Sequence, residues 1–385
     1  MQTEPYRTQT CIMDRANTGH SAFWPIGVDI GYSSTKVLSP SRTAQFPSYA
    51  ERLTGGIAGT PPASFILYKD LETGEEWVVG AEAQNGSRRD GTNAAEQFLF
   101  GRDRYRDPMF AVLIRTALGL GLHKNVFGAP DGKKVVVESG LPPAYLPQDT
   151  DFLTEAFAGR HHFSLRIGNG KTEEFDVTLK EADIDVIAQP LGTLYSVMVD
   201  RRGRYISGYR EYLSKNVLVF DAGFGTLDLF SIHSHRLGDS VTLDDMGMKA
   251  VLKGTLSRLS EMKAHYNLVS LQKALETGTV TVHDAKARTS KRVGFADILE
   301  EESRKVCLAA LDKTFAAFPP DQLDTLIITG GTSDAWQNWI REELKGYETL
   351  TVVSGNLNDR DLSLSFANAR GYYYHLYTGL NHRGG

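Results

Sequence analysis

Two acidic residues occupy matching places in two distant stretches of the chain. Asp29 closes the apolar run Ile26-Gly-Val-Asp29 and is followed by Ile30-Gly-Tyr-Ser-Ser-Thr-Lys36. Asp221 closes Val217-Leu-Val-Phe-Asp221 and is followed by Ala222-Gly-Phe-Gly-Thr-Leu-Asp228. Each stretch reads as a buried strand, a tight turn and an outgoing strand. Gly31, Tyr32, Ser33, Ser34 and Thr35 make the first turn; Gly223, Phe224, Gly225 and Thr226 make the second. Such turns cradle phosphate, because glycine lets the backbone approach closely and adopt φ > 0, presenting its N–H groups. Lys36 can balance phosphate charge. Two carboxylates aimed at one phosphate chain repel it unless a divalent cation lies between. Mg2+ suits that place, since it takes oxygen ligands and keeps part of its water. Asp29 and Asp221 are therefore candidate ligands for Mg2+, through water. A single Asp-Gly hairpin can be plain chain reversal; the repeat argues for two half-sites facing one phosphate chain. Asp228 is a further carboxylate candidate, or a charge on a strand face.

Two more segments carry usable chemistry. Gly330-Gly-Thr332 follows the apolar run 325–329, and paired glycines let a flat purine and its ribose approach the backbone. Gln189 ends the apolar run 184–188 and precedes Pro190-Leu-Gly-Thr193. A glutamine is no strong base, but it can orient a water for in-line attack on a γ-phosphate. His161-His162 lacks partners at metal-ligand spacing and reads as surface. No Walker A loop and no dinucleotide fingerprint occurs.

The elements that must position these residues follow from periodicity. Strand hairpins alternate with helical segments twice along the 385 residues, which reads as α/β. The expected organisation is a flexible tail over 1–22 and a first domain over 23–212 with an inserted subdomain over about 40–131. A second domain follows over 213–364, and a helix over 365–382 returns to the first. The segment 93–122 turns helical, and the long run 295–318 is an amphipathic helix stopped by Pro319-Pro320. A shared opening hairpin in both domains implies duplication, with a ligand cleft between the lobes.

Bulk composition narrows the classes. A hydrophobic content of 41%, a charged content of 23% and a net charge of −5 fit a globular protein with no general drive towards nucleic acid. Any DNA contact needs a local patch or an adaptor, and the basic run Lys286 to Arg292 reads as a solvated loop. Two cysteines, Cys11 and Cys307, exclude a disulfide framework and fit a reducing cytoplasm. No stretch has the length and purity of a membrane span or the apolar core of a signal peptide.

Taken together, Asp29 to Lys36, Gln189 to Thr193, Asp221 to Asp228, Ile328-Thr-Gly-Gly-Thr332 and Ala367-Asn-Ala-Arg-Gly371 resemble the five nucleotide-site motifs of the actin–hexokinase–chaperone superfamily. Phe46-Pro-Ser-Tyr-Ala-Glu-Arg52, Trp77-Val-Val-Gly80 and Gly140-Leu-Pro-Pro-Ala-Tyr145 are similar to segments of ParM/StbA-type bacterial actins. That resemblance implies an actin-like fold of two related lobes and four subdomains around a nucleotide cleft. It also implies Mg2+-dependent ATP or GTP hydrolysis coupled to filament assembly in the bacterial cytoplasm. Plasmid DNA would be captured through a ParR-like adaptor, without direct DNA binding or membrane contact. On this reading Asp29 and Asp221 organise the Mg2+, the two turns hold phosphates, and Gly330, Gly331 and Thr332 lie beside the nucleoside. Gln189 takes the water-positioning place, where part of the family has glutamate. Two alternatives stay open: a non-polymerising scaffold of the FtsA/PilM sort, and a metabolite kinase of the same superfamily.

Overall fold

The computed structural model of the chain describes residues 2–57, 59–86, 102–284, 286 and 288–383. Its first half carries strands Cys11–Asp14 (β1), Phe23–Ile30 (β2), Ser34–Leu38 (β3), Arg42–Pro47 (β4), Ala50–Arg52 (β5), Ile66–Asp70 (β6), Glu76–Val79 (β7), Lys134–Leu141 (β8), Gly159–Ile167 (β9), Glu173–Leu179 (β10) and Ile184–Ala188 (β11). The second half carries Val217–Ala222 (β12), Thr226–His233 (β13), Arg236–Asp244 (β14), Thr279–Asp284 (β15), Thr289–Gly294 (β16), Thr325–Thr329 (β17) and Thr351–Ser354 (β18).

The duplication is written in the sheets. The first lobe's sheet has the order β1-β4-β3-β2-β8-β11 and the second lobe's has β14-β13-β12-β17-β18. Leaving out β1, the two orders are the same. In each, a hairpin and its next strand pair antiparallel, and two crossover strands then pair parallel to the first. The parallel strands are nearly continuous in Val, Ile and Leu because helices cover both faces. The two lobe cores are separate: Trp24, Val28, Phe46, Leu118 and Phe163 in one, Phe220, Leu252, Leu299 and Trp336 in the other.

Two helices cross between the lobes. Helix Gln189–Met198 follows the last strand of the first lobe, yet it buries Leu194, Val197 and Met198 against β12, β13 and β17 of the second. Helix Ala367–Arg383 leaves the second lobe and lies on β2 and β8 of the first. The helices touch at Gly192 and Gly371, whose backbones meet with no room for a Cβ.

Several sequence expectations need revision. The inserted small sheet, in order β10-β9-β6-β7-β5, takes strands from both sides of helix Pro108–Leu122, because β6 pairs with β9. β4 belongs to the main sheet, where it pairs with β3. The described helix begins at Pro108, with Asp107 capping it through a 2.5 Å bond from the Met109 N–H; the residues before 102 in the expected helical stretch lie outside the described ones. The run containing Lys291 and Arg292 is the strand β16 of an exposed hairpin. His161 is buried, its Nε2 2.8 Å from the Phe157 carbonyl.

The expected flexible tail is ordered structure. Residues Glu4–Tyr6 form a short 3-10 turn, and β1 adds an antiparallel edge strand on β4 with Cys11 opposite Gln45. The alternation Cys11-Ile-Met-Asp14 was too short to stand out, but β4 offers an unpaired edge that the segment satisfies.

Candidate nucleotide site

Both hairpins close in the same way. The Gly31 N–H donates to the Ser34 carbonyl at 3.0 Å, and the Gly223 N–H donates to the Thr226 carbonyl at 2.9 Å. Cross-strand register then sets Lys36 opposite Asp29 and Asp228 opposite Asp221. In the first hairpin the Lys36 Nζ donates to Asp29 Oδ2 at 2.9 Å, both groups being buried. Asp29 Oδ1 is buried without a partner.

The second hairpin has no such cation. Asp221 accepts a 2.7 Å bond from Asn368 Nδ2, and Asn368 Oδ1 accepts one of 2.7 Å from Thr193 Oγ. The relay ties the two crossing helices to the carboxylate. Asp228 accepts bonds from Thr242 at 2.6 Å and Thr226 at 2.9 Å. Burial is the main cause that pushes Asp221 up to about 6, and nearby Asp29 adds to it. Burial likewise pushes Asp228 up to about 7, with Asp221 adding to it. Desolvation of charge with no paired cation acts in this direction.

Gly330 follows β17 with φ +89°, and a Cβ there would collide with the Ala222 carbonyl and Asp221 Oδ1. Only glycine brings this loop against the second hairpin. Thr332 locks it, its hydroxyl donating to the Gly223 carbonyl at 2.6 Å and its N–H to the Ala222 carbonyl at 3.0 Å.

These parts surround one cavity of about 390 Å3 between the lobes, a size in the range of small-molecule sites. Asp29, Gly31, Tyr32, Ser33, Ser34, Lys36, Gln189, Asp221, Gly223, Phe224, Thr226, Gly330, Gly331 and Thr332 all line it. Two expected residues do not. Thr35 points to the other face of β3, its hydroxyl 2.9 Å from that of Ser48, because strand residues alternate. Gly225 instead receives the ring of Tyr32, so the two turns touch. The guanidinium of Arg104 lies 4.6 Å from the centre of that ring and donates to the Ile30 carbonyl at 2.9 Å.

Sequence reasoning missed several lining residues. Asn368 sits inside a quoted motif, but nothing local indicates that it reaches Asp221. Asp334, pushed up to about 6 by burial, accepts from the Leu364 N–H at 3.2 Å and lines the cavity beyond Gly331. Residues Glu4 to Gln9 line it too, though no signal in that polar segment indicates it.

The family model for the actin-like proteins' N-terminal domain matches residues 27–192, which is the first lobe from β2 to the start of the crossing helix. The chain has an actin-like fold. Its fold is similar to a ParM from a 15-stranded filament of Clostridium botulinum, with TM-score 0.68 and 17% identity over 93% of this chain and 100% of that one. It is similar to an apo ParM of psk41, with TM-score 0.62 and 17% identity over 95% and 100%. An archaeal actin homologue in complex with ADP gives TM-score 0.62 and 18% identity over 92% and 99%. No curated protein matches the sequence.

The cavity's donor set fits a divalent cation. The orphaned Oδ1 of Asp29 and the carboxylate of Asp221 line the same cavity, and both are hard oxygen donors. Among the described residues, one other cluster has metal-ligand chemistry: Glu138, Asp185 and His375. There His375 Nδ1 already lies 2.8 Å from Glu138 Oε2, an ion pair tying the last helix to β8. Among the described residues, no helix is long and apolar enough to cross a membrane.

Proposed function

We propose that this actin-like protein binds a purine nucleoside triphosphate with Mg2+ between its lobes, polymerises with it and hydrolyses it on assembly. The observation that carries the reading is the pair of matching hairpins, each presenting a turn and a carboxylate to one cavity lined by the Gly330 loop. The two turns present N–H and hydroxyl donors to phosphates, and Lys36 offsets part of their charge. Gly330, Gly331 and Thr332 accept the nucleoside. Gln189, at the first position of its helix and lining the cavity, orients the attacking water. A bound Mg2+, held by Asp29 and Asp221 through water, would neutralise phosphate charge. The ADP complex of one similar protein and the filament of another support this choice within the fold. By the same likeness to ParM, the filament would move plasmid DNA in the cytoplasm through a ParR-like adaptor, with ATP or GTP as its nucleotide.

The test is right-angle light scattering with Mg2+ and ATP or GTP, followed by electron microscopy. Scattering should rise with nucleotide and fall as it is consumed. Flat scattering at high protein concentration, with nucleotide bound, would overturn the filament and favour the non-polymerising scaffold.

A further inference from the structure

The N-terminal segment joins the lobes a third time, apart from the chain that follows each crossing helix. On the first lobe it is held by the β1–β4 ladder, and Asp14 accepts a 2.7 Å bond from Arg42 Nε. Eight residues before the start of β1 it has already reached the second lobe. Thr3 is buried there, its hydroxyl donating to the Leu275 carbonyl at 2.7 Å. Tyr6 packs against the second lobe's core, its phenol bonded to Ser303 on helix Ala296–Ala317. Arg7 lies 3.6 Å from Glu276. Between these anchors the chain spans the cavity, and every residue from Glu4 to Gln9 lines it. Close by, Gln84 of the first lobe bonds to Gln272 of the second, and both line the same cavity.

We infer that residues 3–9 are a strap across the nucleotide cavity that latches the lobes and governs how fast nucleotide exchanges. The inference rests on the nucleotide reading above. A ligand held between two lobes leaves only when they part or when a wall moves. The side of the crossing helices is tied, because they meet at Gly192 and Gly371 and are joined to Asp221 through Asn368. The strap's side can open. The contacts described between it and the second lobe are the Thr3 and Tyr6 hydroxyl bonds, one half-exposed ion pair and the Tyr6 ring, each weak alone and none part of a sheet. It can therefore detach and dock again while β1 stays in the ladder and both lobe cores stay folded. A segment with few buried contacts over a ligand cavity is the kind that opens locally, and such openings often limit product release.

The experiment uses the full-length chain loaded with a fluorescent methylanthraniloyl purine triphosphate and Mg2+, chased with unlabelled nucleotide in a stopped-flow instrument. Tyr6→Ala and the double variant Thr3→Val with Arg7→Glu should each release the probe roughly tenfold faster than the unaltered chain. Tyr6→Phe, which keeps the ring and loses the Ser303 bond, should fall between. Binding of the probe by all of these with release rates within twofold of one another would overturn the strap. Binding by the variants alone would support it in a stronger form, with the strap barring access. Failure of every protein to bind ATP or GTP analogues would overturn the nucleotide reading itself.

Discussion

The two hairpins share backbone, register and turn bond, and they differ in one charge. Where the first sets Lys36 opposite Asp29, the second sets Asp228 opposite Asp221. The first half-site thus carries its own cation and is close to neutral. The second gathers two buried carboxylates whose titration is displaced upward to about 6 and about 7. A repeated scaffold is asymmetric in charge: one wall carries a buried lysine beside its carboxylate, and the other sets two carboxylates opposite each other. Threonine hydroxyls and an asparagine, not a counter-charge, hold the second pair in place. Such bonds leave the carboxylates oriented and able to exchange a proton for a metal.

The comparison breaks most sharply at the lysine. Lys36→Met removes the cation from a buried pair and leaves Asp29 with no opposite charge in its hairpin. Losing one partner of a buried pair costs about 3–5 kcal/mol. Urea unfolding at pH 8 should show a loss of that order. In the second hairpin, Asp221→Ala should leave the fold intact and abolish Mg2+-dependent turnover. The expected drop is about a hundredfold or more, the size of losing a group that acts on developing charge. Turnover that survives in Asp221→Ala would show that the two walls are not divided as described.

The sequence displayed the symmetry but not the asymmetry. Asp29 and Asp221 could be found because each ends an apolar run before a glycine turn, a signal contained in about a dozen residues. The Gly330 loop was legible for the same reason. That Asp228 faces Asp221, and that Thr35 turns away while Lys36 turns in, depends on which face of each strand meets the cavity. In a sheet covered on both sides the residues are apolar on both faces, so the alternation that would reveal it is erased. The relay from Thr193 through Asn368 to Asp221 joins three segments that only the crossing helices bring together. The strap was misread as a tail because its anchors are long-range: Thr3 bonds 272 residues away. A polar segment with few apolar residues looks solvated unless its partners are known.

The charge difference can be sharpened by pH. Asp228 titrates higher in the folded chain than in the unfolded one, where the usual carboxylate range applies. The folded state therefore holds its proton more tightly. The stability this supplies is complete below about pH 4 and is lost as pH rises to about 7, by up to about 1.4 kcal/mol per pH unit. Asp228→Asn has no proton to lose. Without nucleotide or metal, the variant should gain on the unaltered chain steadily from pH 4 to pH 7 and no further above it. Comparing chemical unfolding midpoints of the two proteins across that range reads the second hairpin's coupled pair, because carboxylates such as Asp70 that titrate low contribute equally to both. A constant difference would show that Asp228 is solvated in the apo protein and that the second hairpin is not an uncompensated pair.

The smallest expected effect concerns neither hairpin but the helix that faces them. Gln189 lines the cavity from the first turn of a crossing helix and carries no charge. Its amide can hold a water in line with a phosphate but cannot take its proton. Gln189→Ala should therefore slow hydrolysis by roughly tenfold, about 1.4 kcal/mol in the barrier, while nucleotide affinity and the rise of light scattering stay within twofold. Filaments of the variant should then persist longer after assembly, since the nucleotide in them turns over more slowly. Loss of nucleotide binding would place Gln189 among the walls of the site, on the same footing as the turns, and would remove the division between residues that hold phosphate and the one that directs water at it.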